Sequence, residues 1–386
     1  MTVRSGPRRD KALTPADLAW TRHGTEPRPG SLPSPSPVAT PGEAGDPTKR
    51  RTVLALIGGA GATPLTTPGT ASADAARASA QHATLTGLDP TDIEGLETAV
   101  RSLSATYSSQ PPRELWPEAA RERRRAFTLL QGRRHTLREA RDLARHAGML
   151  SVILAWAAHD LGKDDLVEAY CDDAWVQGRQ ADLPEVSAWA EDVRSTHALY
   201  GNRPLDALTA ATRGLAIAPQ DSNAAVRLSA QVARAQARLG HREEFRQAAV
   251  RAHEYQTRLP LHGAGLFGVD AVRIISYDAS SYVWLGQAQQ ARTVAEEAIG
   301  HYRSCPRPLQ APTRLAIAQL DLAQAHSALG DPDAAIAAAR QALASGRLVD
   351  SIRVRAQQLD RTLRHRYPRE PAVAAFAEEV RLLLAA

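Results

Sequence analysis

Residues 315–347 have the sequence LAIAQLDLAQAHSALGDPDAAIAAARQALASGR, and this stretch decides the fold. Apolar residues and alanines recur at spacings of three and four, stop at the tetrapeptide Leu-Gly-Asp-Pro, and resume beyond it. This period predicts two antiparallel helices joined by a tight turn. Gly330 can adopt the left-handed conformation that ends the first helix. Asp331 can cap the second helix, and Pro332 suits the first turn of that helix.

Similar corners occur upstream, each with a glycine between two alanine-rich periodic segments. The corner glycines are Gly162, Gly201, Gly240, Gly286 and Gly330, at intervals of 39, 39, 46 and 44 residues. The pattern resembles degenerate tetratricopeptide repeats, whose helical hairpins recur at about 34 residues. Such hairpins are too small to bury their apolar faces singly and must stack. We therefore predict an all-α solenoid of tetratricopeptide-like hairpins over residues 75–386; an ordinary alanine-rich helical domain is the alternative.

The first 74 residues have a different composition from the repeats. Residues 1–24 are short and basic, and residues 25–74 are rich in proline, which predicts a disordered linker. A short apolar segment follows Arg50 and Arg51, and the small residues Ala71, Ser72 and Ala73 come after it. Two interpretations stay open: a segment that docks on the following helices, or a twin-arginine export signal cleaved after Ala73.

Arginines are concentrated between residues 113 and 145, and this region is predicted to be helical. The densest positions are Arg123, Arg124, Arg125, Arg133 and Arg134. Such a face can contact nucleic-acid phosphates. Acidic residues interrupt it and exposed aromatic residues are not interleaved, so a solvated face with local ion pairs is the preferred interpretation.

The sequence of 386 residues, with a formal net charge of +5, contains none of the usual catalytic motifs. HExxH, GxSxG and a Cys/His cluster with metal-ligand spacing are all missing, and the glycine-rich segment after Ile57 lacks the lysine of a phosphate-binding loop. Cys171 and Cys305 stand alone, and no apolar run of about 20 residues occurs. We expect a cytoplasmic protein that is not an enzyme and has no cofactor or metal.

Several segments resemble large actinobacterial regulators that carry an Xre/Cro-type helix-turn-helix before a tetratricopeptide-like array. These are residues 13–20 (LTPADLAW), 49–59 (KRRTVLALIGG), 93–116, 146–162 and 168–179. The resemblance implies that the arginine pair lies between two domains. It also implies a helix-turn-helix before Leu13, where this sequence has twelve residues without that pattern. Residues 1–24 are then a remnant tail of a DNA-binding domain, and DNA contact requires a helix-turn-helix restored upstream or supplied by a partner.

The expected function is therefore protein interaction and effector sensing within a transcriptional regulator. The concave face of stacked hairpins can hold a peptide, a protein or a small effector, and the array can pair with a second copy of itself. The first helix of each hairpin should line that face. The candidate contact residues are Trp156, Trp189, His197, Tyr282 and His326. The alternatives are an exported helical binding protein and nucleic-acid binding through the arginine-rich face.

Overall fold

The computed structural model describes residues 70–258, 265–306 and 311–385, and over these ranges the chain is all-helical, with no strand. The predicted tail and nearly all of the predicted linker, with the arginine pair, lie outside the described residues. The helices are α1 (Thr70–Ala83), α2 (Pro90–Thr106), α3 (Pro112–Gly132), α4 (Leu137–Asp160), α5 (Asp164–Gln180), α6 (Pro184–Tyr200), α7 (Pro204–Ile217), α8 (Asn223–Leu239), α9 (Arg242–Arg258), α10 (Ala271–Trp284), α11 (Ala288–Ser304), α12 (Pro312–Leu329), α13 (Pro332–Leu343), α14 (Asp350–Arg366) and α15 (Pro371–Ala385).

Consecutive helices pair as hairpins, which confirms the predicted arrangement. In the α12–α13 hairpin, Gly330 takes the left-handed conformation with φ 94°, and the Asp331 carboxylate caps α13 by accepting a hydrogen bond from the backbone N–H of Ala334. Ala323 of α12 and Ala335, Ala339 and Ala342 of α13 are buried in one cluster, because only a small side chain lets two helix backbones approach closely.

The corner near residue 201 differs in detail from the prediction. Gly201 has φ −75°, and the next residue, Asn202, takes the left-handed conformation with φ 57°. Asparagine tolerates this region better than most residues do, because its side chain forms hydrogen bonds locally. The corner therefore forms as at Gly162, Gly240 and Gly286, but one residue later than predicted.

The first helices of successive hairpins pack side by side. We call α4, α6, α8, α10, α12 and α14 the inner helices, because each contacts the next one in the series. The last inner helix, α14, also contacts the first, α4. The array thus curves until its two ends meet, and the inner helices surround a central space instead of lining an open groove.

The helices of the described ranges are unsuited to crossing a membrane, since none combines the necessary length with sufficient apolar character. Their apolar residues are used between helices. The largest fully buried side chains include Trp189, Phe245 and Phe376, and alanine fills most of the remaining core positions.

Candidate effector cavity

The central space contains a cavity of about 770 Å³, mouth included, lined by residues from α4, α6, α8, α10, α11, α12, α14 and three connecting loops. Its lining combines aromatic rings, serine and threonine hydroxyls, and the guanidinium groups of Arg227, Arg234, Arg273, Arg314 and Arg347.

Helix α8 places three polar side chains in the centre of the molecule. Arg227, Gln231 and Arg234 are four and three residues apart, so they lie along one face of the helix. All three are buried. The opposite face of α8 presents alanines to α9, which explains why a helix with arginines on its inner side still packs within the hairpin.

Arg227 is fixed by an ion pair and by two indole rings. Its Nη2 lies 2.5 Å from a carboxylate oxygen of Asp192, and its Nη1 donates to the backbone carbonyl of Leu266 at 2.7 Å. Its Cζ lies 5.2 Å from the ring centroid of Trp156 and 5.0 Å from that of Trp189. Stacking on aromatic faces holds a guanidinium group in one plane without satisfying its N–H groups.

Arg234 is surrounded by aromatic rings and has no ion-pair partner among the described residues. Its Cζ lies 4.4 Å from the ring centroid of Tyr277, with Trp284 and Tyr200 farther away. Its Nη1 donates to the amide oxygen of Gln231 at 2.8 Å, and Gln231 in turn donates to Asp192 at 3.1 Å. The Nε of Arg234 makes no hydrogen bond in the described structure.

Arg273 lies in the first turn of α10, and no described carboxylate forms an ion pair with it either. It is only 4% exposed, and its backbone N–H donates to the Asp270 carboxylate at 2.6 Å. The guanidinium group makes only a long contact, 3.5 Å from Nη1 to the carbonyl of Leu266, which Arg227 also contacts. Burial lowers the pKa of Arg273 below its ordinary value, and the nearby charge of Arg227 lowers this pKa further. Its Nε also makes no hydrogen bond in the described structure.

The other charged groups of the cavity are balanced. Arg347 pairs with Asp160 at 3.0 Å, and Arg314 lies 3.6 Å from Asp270. His159 is neutral at pH 7, because burial lowers its pKa to about 4. Within the described ranges, therefore, two cavity arginines, Arg234 and Arg273, have no carboxylate partner.

The cavity is closed on one side by a contact between the two ends of the array. Arg347, in the loop before α14, donates to the carbonyl oxygens of Tyr107 and Gln110 and to the Asp160 carboxylate. The Tyr107 hydroxyl donates to the same carboxylate at 2.7 Å. Burial and the Asp160 charge raise the pKa of Tyr107 well above its ordinary value, so it stays a donor. We call this group of four residues the closure contact.

The structure brings three of the predicted groove residues near this cavity. Trp156 lines it, and its indole N–H has no hydrogen-bond partner in the described structure. Trp189 lies behind Arg227 in the core, and His197 contacts the cavity residue His159, with 3.2 Å between their Nδ1 atoms. These two therefore support the lining and do not form it.

The remaining two predicted groove residues lie elsewhere. Tyr282 packs edge-on against Phe245 of α9, with 5.5 Å between ring centroids, on the side of α10 that faces the preceding hairpin. His326 lies in a shallow depression between α11, α12 and α13. Both occupy inner helices, as predicted, but a helix has several faces, and theirs point away from the central space.

The arginine-rich face is largely engaged within the protein. Arg123 forms an ion pair with Asp173, at 2.6 Å, and Arg125 contacts Asp92 and Glu122. Arg133 donates to a backbone carbonyl at Gly87, and Arg134 contacts His82. Arg124 is exposed. Four of the five side chains thus contact different neighbours along the path from α1 to α5, and Arg133 and Arg134 are exposed as Arg124 is.

Sequence reasoning did not identify Arg227, Arg234 and Arg273. A signal was present: polar residues follow the helical period on α8 and again on α10, where Arg273, Ser276, Tyr277 and Ser280 share a face. These residues match no catalytic motif and stand among few aromatic residues in the sequence, so the spacing of polar residues along the helix is the one signal that indicates them.

Comparison with protein-family models finds no family that matches this sequence, and comparison with curated proteins finds no significant match. In the described residues, no group of three or more His, Cys, Asp or Glu side chains is arranged to hold a metal ion.

Proposed function

We propose that this chain is a non-enzymatic effector-sensing module of a transcriptional regulator, and that the effector binds in the central cavity. One observation carries the proposal: successive inner helices direct fixed polar and aromatic side chains into one central cavity. A ligand there contacts many hairpins at once. Such a ligand is well placed to alter the curvature of the array, and a change of curvature can be passed to a partner.

The chemistry of the lining supports binding over catalysis. Arginine is the commonest charged residue in the cavity, and it does not exchange protons near neutral pH. His159 donates to or accepts from His197 and is held between the rings of Trp156 and Tyr200. These contacts favour a site that orients a bound molecule.

The paired arginines of α3 favour this proposal over direct nucleic-acid binding. Since Arg123 and Arg125 already neutralise carboxylates, phosphate contacts there would have to displace internal ion pairs. In our proposal DNA is contacted by a helix-turn-helix domain of the regulator or of a partner. The proposal also places the protein in the cytoplasm, and a mature N-terminus at Asp74 outside the cytoplasm would contradict that localisation.

A cavity-filling substitution tests the proposal in cells. Ile317 is half-buried on α12 and lines the cavity without joining its polar network. Ile317→Trp should occupy part of the space, and the matched control Leu205→Trp adds the same side chain at an exposed position of α7. We expect deletion of the gene to change a set of transcripts. The Ile317→Trp strain should lose the normal response of those transcripts, whereas the Leu205→Trp strain should keep it.

The measurement is transcript sequencing of the four strains, with circular dichroism of the purified variants to show that both are folded. A folded Ile317→Trp protein that supports the wild-type transcript pattern would refute the cavity as the sensing site. A deletion that changes no transcripts would refute the regulatory role itself.

A further inference from the structure

The cavity leaves two buried positive charges without a carboxylate. This inference rests on the proposed function, because it names the class of ligand that the same cavity takes. Arg234 and Arg273 are 2% and 4% exposed. A charge removed from water is costly unless a counter-charge or several hydrogen bonds replace its hydration.

The surroundings of these two residues replace only part of that hydration. Tyr277, Trp284 and Tyr200 cover the faces of Arg234, but aromatic faces do not accept the N–H groups at the edge of a guanidinium. Arg273 contacts one backbone carbonyl, which is shared with Arg227. The unsatisfied Nε atoms of both residues belong to this donor edge, the edge that binds carboxylate and phosphate groups in fork geometry.

Neighbouring segments do not supply the missing negative charge. Asp192 already serves Arg227 directly and Arg234 through Gln231. The Asp270 carboxylate accepts a hydrogen bond from the backbone N–H of Arg273, and the guanidinium group that it lies near, at 3.6 Å, is that of Arg314. Residues 259–264 and 307–310, which lie outside the described ranges, contain neither Asp nor Glu. The local excess of positive charge is thus a property of the cavity in the described structure.

The two arginines are also close enough to act on one molecule. Arg234 packs on Tyr277, which lies one helical turn after Arg273 on the same face of α10. The rest of the lining combines aromatic rings, among them Tyr107 and Tyr302, with Ser and Thr hydroxyls and the aliphatic side chains of Leu266 and Ile317. The indole N–H of Trp156 offers a further donor.

We propose that the cavity binds a small organic anion, whose carboxylate or phosphate groups lie against the N–H edges of Arg234 and Arg273 and whose apolar part packs on the surrounding rings. Each of these anionic groups presents a pair of oxygens that arginine can bind through two parallel N–H···O hydrogen bonds. A net charge of two on the ligand would neutralise both arginines.

The first test uses simple probes. Thermal unfolding and titration calorimetry of the full chain are measured with sodium phosphate, with succinate and with the neutral analogue succinamide, against sodium chloride at equal ionic strength. We expect phosphate or succinate to raise Tm saturably, since a ligand that binds only the folded state stabilises it. Succinamide and chloride should not do so. Whichever of the two anions binds more tightly identifies the charged group of the ligand as a phosphate or a carboxylate.

Substitutions locate the binding. Arg273→Met and Arg234→Met should weaken the anion roughly tenfold or more, the typical effect of losing a hydrogen bond to a charged group. Arg124→Met, which removes the same charge from an exposed position, should leave binding unchanged. Without the anion, Arg273→Met should unfold at the wild-type Tm or higher, because a methionine replaces an unpaired buried charge. Should Arg273→Met fail to fold, Arg273→Lys keeps the charge but loses the fork, and it should bind the anion more weakly than wild type.

The outcomes separate this inference from the proposed function. An equal anion response in wild type and in the Arg234 and Arg273 variants, or no response in wild type, would overturn the anion proposal. A transcript change in the Ile317→Trp strain would then still support the cavity as a sensing site for an uncharged ligand. Conversely, anion binding that depends on the two arginines, together with an unaffected Ile317→Trp strain, would support the anion site and refute the cavity as the sensing site.

Discussion

Asp192 connects the polar groups at the centre of the molecule. It is fully buried on α6, pairs with Arg227 and accepts a hydrogen bond from Gln231, which links it to Arg234 on the same helix. Gln231 also donates to the hydroxyl of Thr196, at 2.5 Å. A single carboxylate therefore organises the inner face of α8, and the interaction of α6 with α8 depends on it as well as on apolar packing.

This arrangement predicts a large effect of Asp192→Asn on stability. The substitution removes the counter-charge of Arg227, which is 1% exposed, and breaking a buried ion pair from one side costs about 3–5 kcal/mol. We expect the free energy of unfolding, measured by urea titration followed by circular dichroism, to fall by about that amount.

The matched control for this prediction is Asp206→Asn. Asp206 pairs with Arg203 at 3.3 Å, and both side chains are largely exposed to solvent. Surface pairs contribute about 0–1 kcal/mol, so the control should unfold close to wild type. Similar losses for both variants would show that the buried pair has no special role.

At the scale of the helix, the hairpins stack closely because small residues lie where helices cross. Gly214 on α7 is an example. A Cβ atom at this position would lie 2.7 Å from the Cβ of Glu191 on α6 and 2.9 Å from a methyl group of Leu228 on α8. Both neighbours are fully buried, so neither moves without disturbing other contacts. Gly214 therefore allows α7 to pack closely against α6 within its own hairpin and against α8 of the next hairpin.

We therefore expect Gly214→Ala to destabilise the protein by about 1–3 kcal/mol, the usual cost of overpacking a close contact. Gly300 on α11 is the natural control, because a Cβ atom there meets no other atom within 4 Å. Gly300→Ala should instead stabilise the protein by up to about 1 kcal/mol, since alanine favours a helix more than glycine does. Chemical denaturation measures both effects, and a loss of stability in both variants would contradict the packing explanation.

For the molecule as a whole, the important feature is that the array closes on itself. The closure contact joins residues 107 and 110, between α2 and α3, to the loop before α14, more than 230 positions later. Gly162 allows the corner after α4 to approach the first residue of α14, because a Cβ atom at this corner would lie 3.0 Å from the Asp350 carboxylate. Closure turns a concave face into a central cavity, and in our proposal a bound effector acts by changing how the two ends meet.

Arg347→Met should weaken closure. Arg347 and Asp160 are 5% and 7% exposed, and the substitution leaves the Asp160 carboxylate buried with the Tyr107 hydroxyl as its remaining partner. We expect faster amide hydrogen exchange at the end of α4 and the beginning of α14, and a larger radius of gyration in small-angle scattering. Arg340→Met, which removes an exposed pair with Glu379, is the control. Unchanged exchange at both helix ends in Arg347→Met would show that apolar contacts alone close the array.

Local patterns predicted the elements of this fold well. The hairpin of residues 315–347 forms as its alanine period, Gly330 and Asp331 indicated, since these signals act within a few residues of one another. The corner at Asn202 shows where local patterns stop being sufficient. Gly201 and Asn202 can both adopt the left-handed conformation, and the choice between them depends on how α6 packs on α7.

The candidate site was predicted less well. Trp156 was identified and lines the cavity, but Tyr282 lies on a face of its helix that points away from it. The period of a helix indicates which residues share a face, and it leaves open which neighbour that face meets. Arg273 is informative for the same reason: on the sequence alone, an arginine in the first turn of a helix is most simply a solvated one.

The sequence by itself determined that the chain forms stacked helical hairpins, because helical period, capping and small-residue spacing are local properties. Only the tertiary structure decided that the array closes and that Arg227, Arg234 and Arg273 converge on one buried space. Closure depends on the sum of small rotations between successive hairpins, and that sum brings together residues that are far apart in the chain.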